Sequence, residues 1–289
     1  MGWAGFLALW CALWAVVALI GFGMSLAGVT KAQRTVRLAG RVERVREPRH
    51  GGSRMGGISV VVAYTDPVTG QAVTVTNDGE RGEMITEAWE GREVGINHPR
   101  GRPHAYRFTN RPEEPSRGLG RPSFALFLVY VGLVVLSAVH WAWPWALIGF
   151  GGPLALFAAA HLPATIRARN DHAAKLAAME HTEGRVVAVL RDVSVDQDDG
   201  HTYTTITPVV SFTTHEGTAV TAHCTSHLPD PAGAYGREVT VHYTRADPAD
   251  FTVDRAAERR SQNQDVTFNV LTIAVMAATG VVGVLFLVG

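Results

Sequence analysis

Five histidines, His201, His215, His223, His227 and His242, surround Cys224 in one stretch of the chain, a set of nitrogen and sulfur donors of the kind zinc takes. Zinc needs three or four such donors to converge. As strand neighbours His223 and Cys224 point to opposite faces, and the chain has neither a Cys-x-x-Cys pair nor histidines spaced along one face of a helix. The spacing predicts no metal, leaves His223 and His227 as weak candidates, and puts the histidines at surface or edge positions. Asp196, Asp198 and Asp199 before Gly200 resemble the opening of a calcium loop, but the acid that should close it is missing from the stretch Tyr203 to Ile206. A solvated loop is expected there.

No Gly-Lys-Ser/Thr phosphate loop, Gly-x-Ser-x-Gly elbow or dinucleotide fingerprint occurs. The run Gly51, Gly52, Gly56, Gly57 has no helix after it and reads as a flexible hairpin. The sequence thus nominates no catalytic residue and no cofactor. In the most apolar stretches the strongly polar side chains are His161 and Asn269, fewer than a transport path usually requires.

The elements that must carry these residues follow from where charge is missing. Of the 289 residues 47% are hydrophobic, yet residues 1–28, 122–166 and 266–289 hold no Asp, Glu, Lys or Arg. A membrane helix needs about 20 apolar residues, so these stretches predict spans over 3–28, 123–139, 145–163 and 267–288. The middle stretch divides at Trp141-Ala142-Trp143-Pro144, where proline and interfacial tryptophans suit a tight turn. Residues 164–181, with Ile166, Ala173, Leu176 and Met179 on one stripe, predict a juxtamembrane helix. A cleaved signal peptide ending near Ser25-Leu26-Ala27 is the weaker reading of the first span, which lacks a basic start and exceeds the usual core of about 7–15 residues.

Basic residues flank every span on one side: Lys31, Arg34 and Arg37; Arg111, Arg117 and Arg121; Arg167 and Arg169; Arg255, Arg259 and Arg260. By the positive-inside tendency both large loops face the cytoplasm and both termini lie outside, in a multi-pass plasma-membrane protein. Lys31, Arg34, Arg37, Arg111, Arg117 and Arg121 are then candidates for contact with lipid headgroups of the bilayer. Cys11 and Cys224 fall in different segments and are expected to stay free thiols. With only two lysines, Lys31 and Lys175, among its basic residues, the composition resembles that of a GC-rich bacterial genome.

The two loops repeat each other. Gly40-Arg41-Val42 returns as Gly184-Arg185-Val186, and Gly91-Arg92-Glu93-Val94 as Gly236-Arg237-Glu238-Val239. Between these marks the chain alternates β-branched runs with turn residues, predicting small β-domains, barrel- or sandwich-like, over 36–109 and 182–254. Strands are expected at 41–45, 58–64, 72–76 and 93–98, then at 185–190, 204–212, 219–224 and 238–243, with a short helix at 84–89. The fold class is therefore four transmembrane helices carrying two repeated soluble all-β domains.

This order of elements, with Pro208-Val209-Val210-Ser211-Phe212 and Gly236-x-x-Val239-x-Val241-x-Tyr243 before Pro248, resembles the bacterial membrane domain-of-unknown-function family 3592 (DUF 3592) in two tandem copies. His98 stands where that pattern has an aromatic residue. The resemblance implies membrane location and domain layout and carries no catalytic residues. Charge separates the copies: residues 29–121 hold 16 basic and 11 acidic residues, and residues 164–265 hold 10 and 15. Opposite potentials favour docking of the two soluble domains against each other as a pseudo-twofold pair. Neither domain has aromatic residues interleaved with a basic stripe, so nucleic acid is not an expected partner. The expected role is binding or scaffolding rather than catalysis; the alternatives are an enzyme or metal-binding protein using the histidine-rich second domain, and a transporter or channel accessory subunit.

Overall fold

The computed structural model describes residues 2–67, 70–77, 83–102, 105–195, 201–226 and 228–288, and its chain divides into a helical unit and a β unit. The expected acidic loop at Asp196, Asp198 and Asp199 lies outside the described residues, as does His227.

Residues 1–34, 116–173 and 260–289 make up the helical unit. Helices α1 (Trp3–Leu26), α2 (Gly120–His140), α3 (Pro144–Ala178) and α4 (Arg255–Val288) are each long and apolar enough to cross a membrane. The turn at Trp141 to Trp143 divides α2 from α3 as its residues predict. The residues expected as the third span and as the juxtamembrane helix extending it form one helix, α3, which runs unbroken for 35 residues through Pro153 and Pro163 and ends at Ala178. The fourth helix starts earlier than the apolar run, because the Asp254 carboxylate accepts the N–H groups of Ala256 and Ala257 at 2.9 Å and caps it.

Small residues set the helix contacts. A Cβ on Gly132 would lie 2.5 Å from Cys11 Sγ of α1, and one on Gly151 would lie 2.7 Å from the Gly280 nitrogen and Met276 carbonyl of α4. Asn269 Nδ2 of α4 donates to Thr165 Oγ1 of α3 at 3.3 Å, so this polar side chain joins two helices. His161 Nδ1 lies 2.9 Å from the Phe157 carbonyl one turn back in its own helix.

In the β unit, residues 35–115 and 174–259, the first antiparallel sheet comprises β1 (Thr35–Arg46), β2 (Ser59–Thr65), β3 (Ala72–Thr76), β5 (Glu93–Pro99) and β6 (Arg107–Thr109). The second comprises β7 (Glu180–Val195), β8 (Thr202–Thr213), β9 (Ala219–His223), β10 (Glu238–Tyr243) and β11 (Phe251–Thr252). Their orders correspond: β3-β2-β1-β5-β6 in one and β9-β8-β7-β10-β11 in the other. Val42, Val60, Val62, Val94, Ile96 and Phe108 fill the first core, and Val186, Val210, Phe212, Val220, Val241 and Tyr243 the second.

The repeated motifs meet in space. Val42 N–H donates to the Arg92 carbonyl and Gly91 N–H to the Val42 carbonyl; Val186 N–H likewise donates to the Arg237 carbonyl and Gly236 N–H to the Val186 carbonyl, all within 2.8–2.9 Å. Gly91 (φ +90°) and Gly236 (φ +76°) turn there in the left-handed region where a side chain is strained. Each long first strand slips register at the same place, between Val42 and Arg44 and between Val186 and Ala188. Gly40 and Gly184 admit the opposing core, since a Cβ would stand 2.5 Å from Val62 Cγ1 and 2.8 Å from Val241 Cγ2 respectively.

One element departs from expectation. The residues expected as a helix at 84–89 instead supply β4 (Glu87–Ala88), which pairs antiparallel with β9 at Glu87↔Ala222 and Ala88↔Thr221. A strand from the first half thereby becomes the sixth strand of the second sheet. The arrangement is one-sided: among the described residues nothing from the second half pairs with β3. Both sheets stay open, with β3 and β6 ending the first and β11 and β4 the second.

Candidate functional site

The seam between the two sheets gathers the most unusual polar groups of the β unit. Its first side chain is His223, the last residue of β9, whose backbone N–H donates to the Thr86 carbonyl at 2.7 Å. Its imidazole is 3% exposed and neither ring nitrogen has a hydrogen-bond partner among the described residues. Burial, reinforced by the Arg54 guanidinium and opposed by the Glu87 carboxylate, lowers its pKa from 6.5 to about 4. At neutral pH the ring is uncharged.

The strand beside it is held from its own half. Asn110 Oδ1 accepts the Thr86 N–H at 2.9 Å and Asn110 Nδ2 donates to the Met84 carbonyl at 2.7 Å. Arg92, 5% exposed, donates to the Glu87 carboxylate at 2.9 Å and to the Glu87 carbonyl, and its guanidinium lies 4.9 Å from the Trp89 ring centroid. Trp89 packs on the core of the second half. A mixed-charge groove of about 410 Å³ opens alongside, lined by Glu83, Thr86, Glu87, Asn110, Arg111 and Glu113 among others.

A second strip of the seam uses the glycine-rich run. Gly51 N–H donates to the Val189 carbonyl and Arg191 N–H to the Gly52 carbonyl, both at 3.0 Å, while Val189 N–H meets His50 Nδ1 at 3.1 Å. The run straps the edge of β7 that β10, ending at Arg185, leaves uncovered. Ala188, Val189 and Leu190 are consequently all buried, although alternate residues of a strand face opposite sides. His50 also stacks on Tyr235 at 4.0 Å between centroids.

The other sequence candidates disperse. Burial raises the Cys224 thiol pKa, disfavouring the thiolate a metal needs, and its Sγ lies 3.7 Å from the Ser226 carbonyl. His215 joins a different network, in which its N–H donates to Tyr243 Oη at 2.9 Å and that hydroxyl donates to Glu180 Oε2 at 3.0 Å. His242 faces His181 at 6.3 Å, and burial, with Arg255 and His181 nearby, lowers its pKa. His201 is exposed. Among the described residues no three His, Cys, Asp or Glu side chains are grouped to hold a metal. Sequence reasoning missed Arg92 and Thr86, whose role depends on a strand partner far along the chain.

The six basic residues singled out for headgroup contact separate into two classes. Arg37 pairs with Glu113 and Arg111 with Asp247, each at 3.3 Å, within the β unit. Lys31, Arg34, Arg117 and Arg121 belong to the helical unit, which holds seven basic and only two acidic residues. No family model matches the chain, and neither a curated protein nor a solved structure matches it.

Proposed function

We propose that this chain is a multi-pass plasma-membrane scaffold or binding protein of bacterial type, its four apolar helices inserted and its β unit presented as one platform in the cytoplasm. The halves are read as tandem copies of one membrane-anchored β-domain, in keeping with the resemblance to family 3592. The observation that carries the reading is β4, the strand of the first half that completes the second sheet. Two copies stitched in this way move as one body and offer a single extended surface, which suits assembly better than turnover. Their opposite charge favours the docked arrangement. A catalytic or metal role finds less support in a neutral, buried His223 beside a protonated Cys224. A transport role is weakened by Asn269, whose amide is engaged by Thr165 between two helices.

Single cysteines at exposed Thr74 and Glu216, introduced with Cys11 and Cys224 replaced by serine, test the placement. They should react with an impermeant maleimide only after the cytoplasmic face is opened; reaction in intact cells would overturn it. A photo-crosslinker at exposed Tyr203 tests the role. It should trap one reproducible protein that a β4-breaking Ala88→Pro change releases, whereas adducts that differ between repeats would speak against a scaffold.

A further inference from the structure

We infer that the exit of α1 and the entry of α2 form a binding site for an anionic phospholipid, with Arg117 holding the phosphate. The two segments are locked together. Ser25 Oγ, in a side chain 7% exposed, donates to the Arg117 carbonyl at 3.0 Å, and Thr30 Oγ1 reaches the same carbonyl at 3.3 Å. Gln33 Nε2 donates to the Ser25 carbonyl at 3.0 Å, and Gln33 Oε1 accepts from the Thr30 hydroxyl at 2.7 Å and its N–H at 3.2 Å. Gly28 and Gly118, both at φ +71°, make the turns, and a Cβ on Gly118 would stand 3.1 Å from Thr30 Oγ1. These bonds fix the Arg117 backbone while its side chain stays exposed and makes no ion pair among the described residues.

Beside it lies a cavity of about 530 Å³ lined by Phe22, Leu26 and Leu119 on the apolar side and Ser25, Gln33 and Arg117 on the polar side. That volume is within the range of ligand pockets, roughly 300–1,000 Å³. The Ser25 hydroxyl and one Gln33 amide hydrogen are engaged in the backbone lock, so the guanidinium is the charged donor left for a ligand. The charges of the two segments set the sign of that ligand: residues 1–34 and 116–140 contain Lys31, Arg34, Arg117 and Arg121 and no acidic residue. A phosphodiester carrying one negative charge, with an acyl chain following Phe22, Leu26 and Leu119, satisfies both walls of the cavity. An arginine fork can meet two phosphate oxygens at once. The inference rests on the membrane placement proposed above.

Native mass spectrometry of the full-length chain in detergent tests it, with phosphatidylglycerol and phosphatidylcholine of identical acyl chains as probes. The chain should retain phosphatidylglycerol about fivefold over phosphatidylcholine, the factor for one basic residue at an anionic surface. Arg117→Gln should remove that preference, while Arg111→Gln, which deletes an arginine already paired with Asp247, should leave it intact. Equal retention of the two lipids by the unaltered chain would overturn the inference, as would an equal loss in the two variants, the mark of bulk charge. Displacement of phosphatidylglycerol by millimolar inorganic phosphate would show a free-anion site instead and likewise overturn it. Failure of the membrane placement would be seen separately, as release of the chain from carbonate-washed membranes.

Discussion

Ser53 donates its hydroxyl to the Asp192 carboxylate at 2.5 Å, joining the glycine-rich run of the first half to the long first strand of the second. The other Asp192 oxygen accepts the Arg54 N–H at 3.1 Å, so one carboxylate organises the turn of Arg54 to Gly56. Asp192→Ala should cost about 1–2 kcal/mol, the worth of hydrogen bonds to a charged acceptor at a partly exposed site. Calorimetry of the full chain should show the β-unit transition roughly 2–8 °C lower. Asp192→Asn, which keeps one acceptor oxygen, should lose less.

His223 makes stability depend on pH. Its folded pKa of about 4 lies below the ordinary 6.5, so between these values the unfolded chain binds more protons than the folded one. Stability is then fully present above pH 6.5, declines as the pH falls toward 4, and levels off below, by at most about 3 kcal/mol. The half-buried His242, with its pKa lowered too, adds in the same direction. Denaturant midpoints measured from pH 7 to pH 4 should slope less steeply in His223→Leu. An unchanged slope would mean that the ring is protonated in the fold.

Tyr243 anchors the hairpin turn of the second half. Its buried phenol, with a raised pKa, stays a donor to Glu180 while accepting the His215 N–H. Tyr243→Phe should cost about 1 kcal/mol, and amide exchange should quicken at Thr214 to Thr218 ahead of the strands.

Gly151 sets how closely α3 and α4 approach. Any side chain there meets the backbone at Gly280 and Met276, which cannot rotate away, so Gly151→Leu should part the helices. A disulfide between Thr165→Cys and Asn269→Cys, in a chain lacking Cys11 and Cys224, reports the distance. Its yield should drop several-fold in Gly151→Leu and hold in Gly152→Ala, where a Cβ meets nothing within 4 Å.

Local features were readable and long-range ones were not. Absence of charge located the helix-forming stretches, and alternation at Val94, Ile96 and His98 or at Val239, Val241 and Tyr243 located strands, because both depend on neighbours in sequence. The start of α4 was not readable from the apolar run, because Asp254 caps the helix before that run begins. The residues from Met84 to Trp89 showed no alternation. Their strand character comes from β9, more than 130 residues away, and from Asn110 holding Thr86 and Met84. His223 looked like an edge histidine for the same reason: β9 is the outer strand of its own half until β4 covers it.

The pairing of β4 with β9 also imposes an order of assembly. Between Ala88 and Ala219 the chain must complete β5 and β6 and then both α2 and α3, so the first half has emerged from the ribosome long before its partner edge exists. Until then the backbone edge of Glu87 and Ala88 has no strand to pair with, even with Arg92 holding the Glu87 carboxylate and lying over the Trp89 ring. Closing so wide a loop is slow relative to the local hairpins on either side, which makes this join the natural last step of folding. A chain stalled after α3 would therefore carry a complete first sheet with an adhesive margin, the species most in need of a chaperone.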